Sequence, residues 1–123
     1  MMKRAALALA LAAGLMTVPA VAAAQDPVPA ADLKDMKCAA LFAIMGGSDP
    51  QYEASGALGM AYYIGRLQGR NPGGDQVTRL FEWVSTQSED ELAALIDTEA
   101  PRCGQELQDL GTAMVEAGDS FGG

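Results

Sequence analysis

Apolar residues recur every three or four positions between residues 31 and 117, which is the spacing of one face of an α-helix. The first stripe predicts a helix over 31–45 that ends at the Gly46-Gly47 pair. Its members are Cys38, Leu41, Phe42 and Met45. The strict alternation typical of a strand is missing from this stretch. The pattern therefore predicts an all-α single domain, a small bundle of four to five short helices.

Residues that cap or initiate helices mark the starts of the later elements. The capping side chains are Asp49, Asp75 and the Ser88–Glu91 pair, and Pro50 and Pro101 stand in first turns. The predicted helices are 50–68, 76–87, a short one after Ser88, and 101–117. Residues 25–30 are predicted to form a linker, residues 31–117 the helical domain, and residues 118–123 a flexible tail.

The later helices also carry stripes that we expect to face inward. Those stripes are Val77, Leu80, Phe81 and Val84; Leu92, Leu95 and Ile96; and Cys103, Leu107, Leu110 and Met114. The second helix is unusual, because small residues repeat in it at four-residue spacing. They are Ala57, Ala61, Gly65 and Gly69. Such a ridge predicts the close approach of another helix, inside the domain or from another subunit.

The first 24 residues have the pattern of a secretory signal peptide. Lys3 and Arg4 precede an apolar run to Val18, and small residues end at Ala24, where we expect cleavage. The apolar run is shorter than a transmembrane helix normally requires. The sequence therefore predicts a periplasmic or secreted protein with no membrane insertion after cleavage.

The charge balance narrows the classes of partner. The chain has 8 Lys and Arg, 16 Asp and Glu, no His and a formal net charge of −8, which becomes −10 when Lys3 and Arg4 leave with the signal peptide. Nucleic acids and anionic membranes require a basic surface, so neither is an expected partner. The charge suits solubility, and it also permits a basic protein partner.

Cys38 and Cys103 are the only cysteines in the chain. In an oxidising compartment they predict one structural disulfide between the first and last helices. Closing a loop of about 65 residues would stabilise the fold by roughly 4 kcal/mol in the chain-entropy model. A redox-active or metal-binding pair is the alternative, which the missing CxxC spacing and the missing His make less favoured.

The sequence offers little chemistry for catalysis. There is no His, and no Ser lies in a nucleophile-elbow pattern. The Gly73-Gly74 pair precedes a helix but lacks the Lys of a phosphate-binding loop. Met45, Met60 and Met114 lie on apolar stripes, which indicates core packing rather than a metal site. We therefore predict a protein that is not an enzyme and has no catalytic, cofactor-binding or metal site.

Four residues form the candidate interaction surface: Tyr62, Tyr63, Arg66 and Trp83. Tyr, Trp and Arg are the residues that dominate binding hot spots. In the alternative interpretation, Tyr63 and Trp83 complete the small core and Arg66 is a solvated helix end. The sequence alone leaves both open.

The second helix carries a Tyr-x-Gly-Arg-x-x-Gly run over Tyr63–Gly69. With one Cys in the first helix and one near the start of the last, this layout resembles the HdeA-type periplasmic acid-stress chaperones. It is similar also to helical, disulfide-bonded immunity proteins that neutralise secreted amidase effectors.

The first resemblance implies a homodimer at neutral pH that opens in acid and holds unfolding clients on exposed apolar surface. Protonation of the carboxylates near pH 2 would take the mature chain from −10 to about +6, and like-charge repulsion would favour opening. The second resemblance implies instead an acidic surface that covers the basic cleft of a partner enzyme at neutral pH.

Overall fold

The computed structural model describes residues 27–122, and the predicted signal peptide over 1–24 lies outside this range. The described chain forms five α-helices and a short 3-10 turn over Pro50–Tyr52, with no strand among these residues. The helices are α1 (Ala30–Ser48), α2 (Glu53–Arg70), α3 (Gln76–Ser85), α4 (Glu89–Thr98) and α5 (Ala100–Gly122). The predicted all-α bundle is thus confirmed.

The capping residues act as the sequence predicts. Asp49 accepts a hydrogen bond from the backbone N–H of Gln51 at 2.9 Å, which opens the 3-10 turn that leads into α2. Asp75 accepts from two backbone N–H groups of α3 at 3.1 Å each. Ser88 and Glu91 form the reciprocal capping box of α4. These bonds satisfy N–H groups that would otherwise lack partners at helix starts.

Two helices run further than predicted. α1 includes the Gly46-Gly47 pair and ends at Ser48, because Gly46 packs on α2 instead of terminating the helix. α5 has 23 residues and continues to Gly122, past the expected end at 117 and through most of the segment predicted as a flexible tail. No Pro interrupts that segment, so each residue added to the established helix gains a backbone hydrogen bond.

The core is organised around α1. This helix alone supplies more than half of the buried apolar residues, whereas α3, α4 and α5 each bring one apolar residue into the core. The buried apolar residues are Met36, Cys38, Ala39, Ala40, Leu41 and Phe42 of α1, Tyr63 and Leu67 of α2, Leu80, Leu95 and Cys103. The outer helices are therefore positioned by their contact with α1 and α2.

The closest helix approach is between α1 and α2, and it uses Gly56 and Gly59. A Cβ at Gly56 would lie 2.7 Å from the backbone of Gly46 and of Phe42, and one at Gly59 would penetrate the Phe42 ring. The predicted ridge at Ala57, Ala61, Gly65 and Gly69 is exposed instead. Of the two contacts that the sequence left open for this ridge, the one inside the domain is therefore made by the neighbouring face of α2, since Gly56 precedes Ala57 by one residue.

Several residues expected to face inward are exposed. Their relative exposures are Val77 47%, Phe81 57%, Ile96 49%, Leu110 38% and Met114 66%. The reason is geometric, because α3, α4 and α5 each contact the bundle along a narrow line. Only the residue on that line is fully buried, and the flanks of each stripe stay in solvent. Met45 and Met60 do pack against the core, as predicted.

The predicted disulfide is present. Cys38 and Cys103 are joined, with their Cα atoms 5.5 Å apart and both side chains fully buried. The bond links the middle of α1 to the first turn of α5, so it lies inside the core instead of crossing a surface loop. Stable disulfides of this kind are typical of proteins in oxidising compartments.

Substitution of Gly56 tests the α1–α2 approach. We expect Gly56→Ala to destabilise the fold by about 1–3 kcal/mol, since backbone must move to admit the methyl group. Gly65→Ala is the matched control, because nothing lies within 4 Å of its added Cβ. That variant should stabilise by about 0.5–1 kcal/mol through helix propensity. Urea unfolding measures both, and equal effects of the two variants would contradict the close approach.

Removal of the disulfide tests its contribution to stability. The cysteines are 65 residues apart, so the Cys38→Ser, Cys103→Ser double variant should lose about 4 kcal/mol of unfolding free energy. Thiol labelling of the denatured, unreduced protein should find no free cysteine. Two free thiols would contradict the bond.

Candidate functional site

Three of the four candidate residues lie together on α2. The rings of Tyr62 and Tyr63 meet edge to face with centroids 4.9 Å apart. The Arg66 guanidinium lies 5.7 Å from the centroid of Tyr62 and 5.9 Å from that of Tyr63. Arg66 also donates to the Tyr62 hydroxyl at 3.3 Å. One turn of α2 therefore presents a compact aromatic and cationic cluster.

Tyr63 belongs to the core and offers no contact surface, which corrects its assignment as an interaction residue. Its side chain is fully buried and stacks on Phe42 at 6.0 Å between centroids. Its hydroxyl oxygen lies 3.0 Å from the Cys103 carbonyl oxygen and 2.9 Å from Glu106 Oε2, and its single proton is shared between these two acceptors. Burial is the main reason that the pKa of Tyr63 lies well above its usual range, and the neighbouring carboxylate of Glu106 raises that pKa further. The hydroxyl stays protonated and ties α2 to α5.

Trp83 lies elsewhere, on α3. It is half-buried and packs against the core, and no aromatic or cation–π pair joins it to Tyr62, Tyr63 or Arg66 within the described chain. For Trp83 the core interpretation holds. Arg66 fits neither sequence interpretation fully, because it is paired with carboxylates instead of being a solvated end.

Arg66 is one member of an ion network centred on two buried carboxylates of α1. Asp32 and Asp35 are 3% and 1% exposed. Asp32 accepts from Arg70 and from Arg79 at 2.8 Å each. Asp35 pairs with Arg70 and, at 3.3 Å, with Arg66. The network thereby fastens the start of α1 to the end of α2 and the start of α3.

The same network continues across α5. Arg66 reaches Glu106 at 3.5 Å, and Glu106 also accepts from Arg102 at 3.1 Å. Arg102 pairs with Glu99 at 2.7 Å, and Glu99 reaches Lys37 of α1 at 3.5 Å. Charged residues from four helices are thus joined around one side of the bundle.

The ionised form of these carboxylates is the one that the fold favours. Burial acts to raise the pKa of Asp32, but hydrogen bonds from Arg70, Arg79 and Asn71 outweigh it and hold that pKa below its ordinary value. The pKa of Glu106 is lowered in the same way, since bonds from Tyr63 and Arg102 outweigh the effect of burial. Both groups therefore stabilise the fold when charged.

The ion network contains nearly all the basic residues of the described chain but few of its acidic residues. Among residues 27–122, Lys34 is the only Lys or Arg outside it. Most acidic residues of the described chain lie away from the network. Those on α3, on α4 and on α5 beyond Glu106 are Glu82, Glu89, Asp90, Glu91, Asp97, Asp109, Glu116 and Asp119. Among the described residues, the charged side chains outside the network are therefore all acidic except Lys34.

The sequence pattern assigned no role to Asp32 or Asp35. The structure buries both. A sequence signal was available, because Asp32 and Asp35 continue the register of Ala39 and Phe42 on the buried face of α1. Arg66 and Arg70, four residues apart, supply the matching face on α2. Their pairing across helices depends on tertiary geometry that spacing does not give.

The described residues show no feature of a metal site or a membrane span. In residues 27–122, no group of three or more His, Cys, Asp or Glu side chains is placed to hold a metal ion. None of the helices in that range combines the length and the apolar character needed to cross a bilayer. Comparison with family models, with curated proteins and with solved structures finds no match for this chain.

Two matched hydroxyl deletions test the site geometry. Tyr63→Phe removes a buried donor from two acceptors, so we expect a loss of about 1–2 kcal/mol in the unfolding free energy. Tyr62→Phe removes an exposed acceptor and should cost less than about 0.5 kcal/mol. Chemical denaturation at neutral pH compares them. An equal loss in both variants would contradict the assignment of Tyr63 as the tie between α2 and α5.

Proposed function

We propose that this chain is an exported, non-enzymatic protein that acid converts into a holder of unfolding clients, in the manner of the HdeA-type chaperones that its layout resembles. The single observation that supports this proposal most is the ion network around Asp32 and Asp35. Its carboxylates are groups that acid neutralises, and its cations are nearly all the cations of the described chain.

The direction of the pH response follows from the pKa shifts of Asp32 and Glu106, which are both downward. A carboxyl with a lowered pKa in the fold stabilises it fully above the pKa of the unfolded chain, near 4. That contribution is lost as pH falls through the lower folded-state value. Acid then leaves Arg66, Arg70, Arg79 and Arg102 facing neutral partners at close range, and their mutual repulsion favours opening.

To hold clients, the acid form also needs exposed apolar surface and a chain that stays compact after opening. Phe81 is 57% exposed and Met114 66% exposed before any opening, and separation of α3 from α1 would add Leu80. The Cys38–Cys103 bond is insensitive to acid, so α1 and α5 stay joined in the opened state. The acid form would then stay compact and expose apolar surface that binds clients, instead of becoming fully extended.

An inhibitor of a basic enzyme is the second candidate, and the acidic surface outside the network favours it. In this role the protein would act at neutral pH through its carboxylates, and acid opening would be incidental. Electrostatic attraction to a basic cleft would make association fast and sensitive to salt. The two candidates thus differ in the pH at which they work.

The deciding experiment follows aggregation of a generic client with the mature, oxidised protein at about pH 2.5 and at pH 7, with apolar-dye binding in parallel. We expect protection and dye binding in acid alone. Absence of protection at both pH values would exclude the chaperone proposal. Partner capture at pH 7, sensitive to salt, would then test the inhibitor.

A variant pair links the activity to the network. Asp32→Asn removes the charge that pairs with Arg70 and Arg79, so its dye binding should begin at higher pH than in the wild type. Asp97→Asn removes a carboxylate that makes no ion pair in the described chain and should leave the pH midpoint unchanged. Equal midpoints in all three proteins would contradict the role of the network.

A further inference from the structure

A cavity of about 370 Å³ lies beside the contact between α1 and α2, and α3 contributes one of its walls. This volume is within the range of sites that bind small molecules. Every side chain that lines the cavity is apolar except that of Glu53, which stands in the first turn of α2. The apolar side chains are those of Phe42, Ala43, Ala57, Met60 and Phe81. The cavity therefore combines an apolar lining with a single negative charge.

Two aromatic rings line this cavity together with the carboxylate of Glu53. Phe42 has a fixed position, because its ring rests against the backbone of Gly59 and stacks on Tyr63 with 6.0 Å between centroids. Phe81 is 57% exposed, so its ring is accessible to a ligand from solution. The face of an aromatic ring is electron-rich and attracts cations. The lining thus contains the two kinds of group that bind an organic ammonium ion.

Glu53 has no cation beside it within the described chain. It forms no ion pair among residues 27–122. Lys34, the one Lys or Arg of that range outside the ion network, lies eight residues before Phe42, which is about 12 Å along α1. The Glu53 residue is exposed, so a cation from solution can reach its carboxylate. No cation of the described chain therefore competes with a ligand for this charge.

We propose that this cavity binds a small organic ammonium ion with an apolar body. The apolar body lies against Phe42 and Met60, and the ammonium group lies between the carboxylate of Glu53 and the ring of Phe81. An anion would be repelled by Glu53 and by the net charge of −8 on the chain. A neutral molecule of the same shape would gain the apolar contacts alone.

A second cavity, of about 430 Å³ between α2 and α5, does not provide the same charge complementarity, because no charged residue of the described chain lines it. The proposed ammonium site also uses none of the carboxylates and arginines of the ion network. It requires only the folded molecule at neutral pH. Binding of an ammonium ion therefore stands or fails independently of client holding in acid.

Titration with 2-phenylethylammonium tests the proposal. The mature, oxidised protein is followed at pH 7 and low salt through the NMR signals of the Met60 methyl group and of the Phe42 and Phe81 rings. We expect these signals to shift with a dissociation constant of about 1–10 mM. The alcohol 2-phenylethanol has nearly the same shape without the charge, so it should bind at least about threefold more weakly. Added salt should reduce this difference.

A variant pair tests the role of the carboxylate. Glu53→Gln should weaken binding of the ammonium ion at least about threefold and leave binding of 2-phenylethanol unchanged. Glu89→Gln is the matched control, since Glu89 begins α4 as Glu53 begins α2, and neither forms an ion pair in the described chain. Glu89 does not line the cavity, so its replacement should leave both affinities unchanged.

A third variant tests the aromatic wall. Phe81→Ala removes an exposed ring, so the fold should persist, as circular dichroism checks, while the affinity for the ammonium ion falls about threefold. Unshifted cavity signals at about 20 mM ammonium ion, equal affinities for the ammonium ion and the alcohol, or an unchanged affinity of Glu53→Gln would each overturn the proposal. A blocked lysine that binds more tightly than 2-phenylethylammonium would also overturn it, because the cavity would then receive a side chain of a partner protein.

Discussion

The approach of α1 and α2 at Gly56 and Gly59 determines where the other helices lie. With no side chain on either glycine, the backbone of α2 rests against Phe42 and Gly46. This proximity brings the end of α2 to the start of α1, where Arg66 and Arg70 reach Asp32 and Asp35. A methyl group at Gly56 would force the backbones of the two helices apart at this contact.

Burial of Asp32 and Asp35 would cost free energy if they were unpaired, and two charges in a core are often no better than two apolar side chains. In this molecule the two carboxylates determine how the helices are placed relative to one another. Each pairs with two arginines, and those arginines come from α2 and α3. The network therefore specifies how these elements meet, while apolar packing supplies most of the stability.

Sequence reasoning predicted the features that depend on neighbours in the chain. The helices, their Asp49, Asp75 and Ser88 caps, and the pairing of Cys38 with Cys103 all follow from local pattern or from the presence of only two cysteines. It did not predict which face of each helix is covered. That choice depends on which helix lies opposite, so Gly56 rather than Ala57 makes the contact and Phe81 remains in solvent. The ion pairs of Asp32 and Asp35 were missed for the same reason, since their arginine partners are 31 to 47 residues away along the chain.

The disulfide also separates the chain into parts that differ in how easily they can unfold locally. Cys38 and Cys103 close a ring that contains α2, α3 and α4, whereas the first two turns of α1 form an arm outside it. Asp32 and Asp35 lie on that arm, and their arginine partners lie in the ring. Fraying of the arm would break every one of these pairs and leave the cross-linked ring closed. The start of α1 is thus suited to open as a local unit, and its amide protons should exchange with solvent well before those around Leu41.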